Sequence, residues 1–164
     1  MSVNPTVRHR LEAQGFCGLD NDVFEALAPW MRWTYTLGML VTIIGVVMMS
    51  PVVLWSLAAV TAVGIFFPFH PFDLLYNFGF RHVTGTWPFP KSGPQRHFVF
   101  VVASIWLAAT GWAFYVGSEI VGFALCIPLI LVAALASTTN FCIPSFMYNT
   151  VVSRLKKPAV NGKV

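Results

Sequence analysis

Between Arg32 and Asp73 the chain carries no Asp, Glu, Lys or Arg, and the same holds between Arg96 and Glu119 and between Glu119 and Arg154. A helix that crosses the ~30 Å hydrocarbon layer of a bilayer needs about 20 predominantly apolar residues. The first gap is long enough for two crossings and each of the others for one. A helix at the surface of a soluble protein keeps a polar face toward water, and these stretches have none. Charged residues make up 10% of the chain, against about 25% in soluble domains. The expected fold class is therefore all-α: a polytopic membrane protein with four transmembrane helices arranged as two hairpins.

The placement of the ten Lys and Arg residues sets the expected orientation. Arg8, Arg10 and Arg32 precede the first helix or stand at its start. Arg81, Lys91 and Arg96 fall between the second and third, and Arg154, Lys156, Lys157 and Lys163 follow the fourth. The short turns at Ser50-Pro51 and Gly117-Ser118-Glu119 have none. Basic residues accumulate on the cytoplasmic side of a membrane, so both termini are expected there. The same placement accounts for the net charge of +4, with the bilayer and not nucleic acid as the expected partner. Three cysteines, an odd number, form no disulfide framework.

Residues 1–30 are expected to form a cytoplasmic segment with a short interfacial helix. They show no short apolar core followed by a small-residue cleavage site, so the first crossing helix serves as the insertion signal. Asp22 and Glu25 mark the helix start, and Phe24, Leu27, Ala28 and Met31 follow at helical spacing. The transmembrane domain spans 31–150 and includes a cytoplasmic loop, 70–97; a basic tail follows at 151–164. Within 31–150 the helices are expected at about 31–49, 52–67, 98–116 and 119–139. Pro128 falls inside the last and leaves the Ala124 carbonyl without its N–H partner. There is a faint parallel repeat: Pro29, Arg32 and Trp33 against Pro94, Arg96 and Phe98, and Tyr76-Asn77 against Tyr148-Asn149.

Three sets of side chains are candidates for chemistry. Asp73, Asn77 and Arg81 fall at i, i+4 and i+8 on a half-helix opened by Pro71, and with Arg96 they make a candidate polar cluster. Trp87 and Phe89 are apolar residues of the same loop suited to the interface. His70, His82 and His97 share the cytoplasmic side but lack close ligand spacing, so no metal or other cofactor is expected. Cys142, at the cytoplasmic end of the fourth helix, is the one catalytic candidate. A small apolar residue packed at a helix end explains it more simply, because thiol reactivity depends on a local pKa. Cys126, 16 residues earlier, is ~24 Å away along a helix, beyond disulfide reach. Cys17 lies on the same side as Cys142.

The run from His70 to Asn77, then Arg81, Thr84-Gly85-Thr86, Pro88, Pro90, Arg96-His97-Phe98, Phe141-Cys142 and Tyr148, resembles a family of small bacterial membrane proteins known as a domain of unknown function. The resemblance covers roughly residues 22 to 150. It implies a four-helix domain in the bacterial inner membrane and an association with rhodanese- or thioredoxin-type proteins. It also implies a Cys-x-x-Cys at the end of helix 4, where this chain has Cys142 and Ser145. Without the second thiol, only single-thiol chemistry such as a persulfide or mixed disulfide stays open.

Three functions fit these observations. The first is a non-catalytic membrane component that packs with copies of itself or within a larger complex, since small residues in the helices suit close packing. The second is a transporter or channel for a small solute such as a sulfur compound. The third is a thiol-dependent redox or sulfur-relay protein using Cys142.

Overall fold

A computed structural model describes residues 4–16 and 18–156; Cys17 and the basic residues Lys157 and Lys163 lie outside the described residues. All regular elements among the described residues are helical. Two short helices, α1 (Pro5–Glu12) and α2 (Asn21–Leu27), lead through a 3-10 turn, Trp30–Arg32, into α3 (Trp33–Val47). Then come α4 (Pro51–Phe66), α5 (Pro71–Leu75), a π-helical segment (Tyr76–Phe80), α6 (Arg81–Thr84), α7 (Pro94–Tyr115), α8 (Glu119–Thr139) and α9 (Ile143–Lys156).

The sequence supplies clear stops and starts. Pro51, Pro71 and Pro94 each open a helix, where the missing N–H costs nothing and φ is already helical. At the other ends the chain turns through the left-handed region. Gly117 does so after α7 with φ 74°, and Asn140 after α8 with φ 54°. Met49 does the same after α3 with φ 48°, while the Ser50 N–H bonds the Gly45 carbonyl at 2.8 Å.

Four helices close a ring in which α3 packs on α4 and α8, and α7 packs on α4 and α8. Glycines set the separations. A Cβ at Gly111 would lie 2.6 Å from Trp55 Nε1, one at Gly64 2.7 Å from His70 Cδ2, and one at Gly122 2.7 Å from the Phe114 ring. Close backbone approach of this kind is how helices associate where lipid removes the hydrophobic drive. Thr42, Thr61 and Thr110 donate their hydroxyls to carbonyls of their own helices, so each is satisfied without water. The outward faces carry Ile44, Val47, Ile105, Trp112, Ile120 and Leu131, all exposed. Trp30–Val47, Pro94–Tyr115 and Glu119–Thr139 are each long and apolar enough to cross a membrane, and α4 with the segment after it, bent by 85°, makes a fourth candidate.

One end of the ring is capped. Leu11, Phe16, Phe24, Leu27, Ala28, Met31, Tyr76 and Phe89 form a buried cluster. The face expected to lie on the membrane surface (Phe24, Leu27, Ala28, Met31) is thus covered by protein: α1, absent from the sequence-based expectation, supplies Leu11, and the central loop supplies Tyr76 and Phe89. Phe89, expected at the interface, is 4% exposed, whereas Trp87 is open. A second unexpected helix, α9, runs across the expected boundary between domain and tail.

The faint repeat has a counterpart in packing. Trp33, at the start of the first hairpin, meets Tyr76 beyond its end at a ring separation of 6.3 Å, and Phe98 meets Tyr148 at 5.6 Å.

Candidate functional site at the capped end

The capped end holds a buried ion pair. Pro71 starts α5 with His70 as its cap: His70 Nδ1 accepts from the Phe72 N–H at 3.2 Å, and Asp73 Oδ2 accepts from the His70 N–H at 3.3 Å. The other Asp73 oxygen accepts the Thr34 hydroxyl. Arg96 reaches across from α7, with Nη2 at 2.9 and 3.2 Å from the two carboxylate oxygens. Both side chains are 1% exposed. The guanidinium sits 4.8 Å from the Phe16 ring centroid and 5.5 Å from that of Phe100, an arrangement in which the ring faces stabilise the cation. Arg96 Nε and Nη1 find no hydrogen-bond partner among the described residues. The pair therefore joins α3, α5, α7 and the N-terminal segment at one point, enclosed on every side that these contacts define.

Asn77 and Arg81 stand apart from it. The π-helical segment at Tyr76–Phe80 adds a residue to the turn, so the i, i+4, i+8 stripe does not persist. Asn77 Oδ1 instead accepts the Phe89 N–H at 2.8 Å and ties down the loop. Tyr76 is fully buried and bonds the Thr86 hydroxyl. Of the histidines, His70 is buried while His82 is exposed, and among the described residues no three His, Cys, Asp or Glu side chains are placed to share a metal ion. Burial pushes the His70 imidazole down from 6.5 to about 4, against the opposing pull of Asp73.

Cys142 is 4% exposed and packs with Val99 and Ala136, with Tyr35 against them. It is a free thiol, as is Cys126. Two cavities meet at Cys142. One, of about 370 Å³, is apolar and lies among α3, α7, α8 and α9; Tyr35, Trp106, Ala133 and Met147 are in its wall. The other, of about 230 Å³, is a cleft between α1 and the α8–α9 junction, lined by His9, Arg10, Gln14 and Ser145. Arg10 Nη1 and Gln14 Nε2 donate to the carbonyls of Thr139 and Asn140 at 2.8 and 2.6 Å, and Arg32 Nη1 reaches that of Ser137 at 3.4 Å. Cations and donors at a helix C-terminus satisfy its last carbonyls and complement its dipole. Ser145 is 1% exposed and its hydroxyl has no hydrogen-bond partner among the described residues, whereas the Tyr35 hydroxyl faces the Cys142 thiol.

A family model described as "Domain of unknown function (DUF4395)" matches residues 28–153. The chain belongs to this family. No curated protein and no solved structure matches it. The DUF4395 span takes in the four ring helices, the Asp73–Arg96 pair and Cys142, and leaves α1 and α2 outside. The contacts that Arg10, Gln14 and Phe16 make come from outside the matched residues. Sequence reasoning passed over Thr34, Tyr35 and Phe16, which complete the surroundings of Asp73, Cys142 and Arg96. Thr34 and Tyr35 carry one signal, their placement side by side at the start of α3.

Proposed function

We propose that this chain is a multi-pass protein of the bacterial inner membrane with both termini in the cytoplasm, and that it serves as a non-catalytic component packing with copies of itself or with a larger membrane complex. The enclosed Asp73–Arg96 pair carries the reading. The carboxylate and the Phe16 and Phe100 rings hold these charges between the cap and the ring, and their burial leaves a substrate no open approach. Arg10, Arg32 and Arg96 all stand at the end where α3 and α7 begin and α8 finishes, the end expected to be cytoplasmic. Purification in a mild detergent tests the assembly: light scattering should give a multiple of the chain mass or an excess from co-purifying subunits. A lone monomer in native-membrane crosslinking would contradict it.

One observation favours a second reading, thiol chemistry. Cys142 is in the wall of both the apolar cavity and the basic cleft, so a thiol there is within reach of both a membrane-borne and a water-borne reactant. Cys142→Ala separates the readings. Retained assembly with loss of a cellular phenotype supports the thiol role; retained phenotype leaves Cys142 as packing.

A further inference from the structure

α4 is too short for the bilayer that its neighbour spans. Its 16 residues cover about 24 Å at ~1.5 Å per residue, about 6 Å less than the ~30 Å hydrocarbon core. The 22 residues of α7 cover about 33 Å. The two helices pack together and are level at the end away from the cap, where a Cβ on Gly111 would meet Leu54 and Trp55, close to the start of α4 and the end of α7. The shortfall therefore falls at the capped end. There a Cβ on Gly64 would lie 2.7 Å from His70 Cδ2 and 3.1 Å from Phe100 Cδ2, and the His70 and Phe100 rings are 4.7 Å apart. Phe100 follows Pro94 by about six residues, or about 9 Å along α7. The run Pro71–Thr84 begins at that depth and leaves α4 at 85°, almost at right angles to a crossing helix and so along the membrane plane.

The run has two faces. Asp73 and Tyr76 are buried, whereas Leu74, Leu75, Phe78 and Val83 are exposed, as are Phe66 and Phe67 where α4 ends. Exposed apolar residues that succeed one another in this way mark a surface for a membrane or a partner. Position and charge favour the membrane. The face continues the outer side of α4, and an in-plane helix sinks its apolar face ~5–10 Å past the head groups, the depth at which this run begins. Within 70–97 Asp73 is the one acidic residue and Arg96 is paired with it, so Arg81 and Lys91 leave the loop positive, as anionic head groups favour. Trp87, also exposed, is of the type that collects where acyl chains meet head groups. We propose that Pro71–Thr84 is an in-plane segment sunk in the cytoplasmic leaflet, with Leu74, Leu75, Phe78 and Val83 among the acyl chains and Arg81 and Lys91 toward the head groups. The inference rests on the bilayer placement put forward under the proposed function and not on the assembly reading.

Fluorescence quenching measures the depth. Phe78→Cys and Val83→Cys are labelled with bimane, alongside Leu131→Cys at an exposed position within α8 and Asp22→Cys at an exposed position in α2. The unsubstituted chain gives the background. Each is placed in nanodiscs of phosphatidylcholine and phosphatidylglycerol. A lipid nitroxide near the ester should quench the labels at 78 and 83 about twofold more than one near the chain end, as a shallow in-plane position requires. The order should reverse at 131, and iodide should quench strongly at 22 alone. A label at 131 that neither lipid reaches would overturn the bilayer placement and this inference with it. Lipid quenching at 131, with 78 and 83 following iodide as 22 does, would overturn this inference alone. Should a substituted chain fail to fold, the natural chain is irradiated in nanodiscs that contain a phospholipid with a diazirine in its acyl chain. Lipid adducts within 74–83 support the segment's immersion. An unlabelled 74–83 beside a labelled α8, or crosslinks from 74–83 to a second copy of the chain, would overturn it.

Discussion

At the scale of single residues, the protein is most sensitive to a one-sided change where Asp73 and Arg96 meet. Removing one member of a buried pair leaves the other charge uncompensated and costs about 3–5 kcal/mol, whereas replacing both by apolar residues of similar size is often neutral. Arg96→Met should therefore lower the thermal midpoint in detergent sharply, and Asp73→Leu with Arg96→Met should recover most of the loss; a double variant as unstable as the single would contradict this account of the pair. His70 adds a pH dependence. Its Nδ1 accepts the Phe72 N–H and so must be unprotonated, and burial holds its pKa at about 4. On acidification the unfolded chain takes up the proton first. The contribution is thus complete above about pH 6.5, the ordinary value for His, and is lost as pH falls toward 4. Melts at pH 7 and pH 4.5 should differ more for the natural chain than for His70→Asn, which keeps a capping acceptor that does not titrate. Asp73 and Arg96 both attract notice in the sequence as charges flanking apolar stretches. The sequence puts both in one polar cluster, and they do pair; that Asn77 turns instead to the Phe89 N–H is not legible there, because it depends on the π-helical segment and the fold of the loop.

Among the elements, starts and stops followed local chemistry closely. Proline at N1 and a left-handed residue after the C-terminus are signals written in adjacent residues, so the expected and observed ring helices agree to within a few positions. The elements that escaped notice are those made by tertiary contact. α1 is short and polar, and is held by Arg10 and Gln14 reaching the end of α8. The π-helical segment depends on Tyr76 finding Trp30, Trp33 and Phe89. Two substitutions test the element-level account. Met49 has a left-handed φ of 48°, which costs an L-residue about 1–2 kcal/mol, and it is exposed. Met49→Gly should therefore leave the protein equally stable or up to about 1 kcal/mol more stable, once the entropy of glycine is counted; a marked loss would mean that the Met49 side chain holds the turn. At Gly122 an added Cβ would meet the Phe114 ring at 2.7 Å, so Gly122→Ala should destabilise by about 1–3 kcal/mol through overpacking, and Phe114→Leu should relieve part of that in the double variant.

For the molecule as a whole, charge-free length and the one-sided distribution of basic residues led to the membrane reading, and the ring places those residues consistently. Arg10, Arg32 and Arg96 gather at the capped end, while the α3–α4 and α7–α8 turns at the other end carry no basic residue. Function was far less legible. Cys142 stands out in the sequence, but the cavities on either side of it arise from α1 and α9, which sequence patterning did not show. The orientation underlies the proposed cytoplasmic placement of the capped end. The most direct measurement is a pair of reporter fusions in living cells, using a domain active only in the cytoplasm, one joined after Val164 and one inserted between Gly117 and Ser118. The account predicts strong signal from the first and background from the second. The reverse pattern, or signal from both, would contradict it.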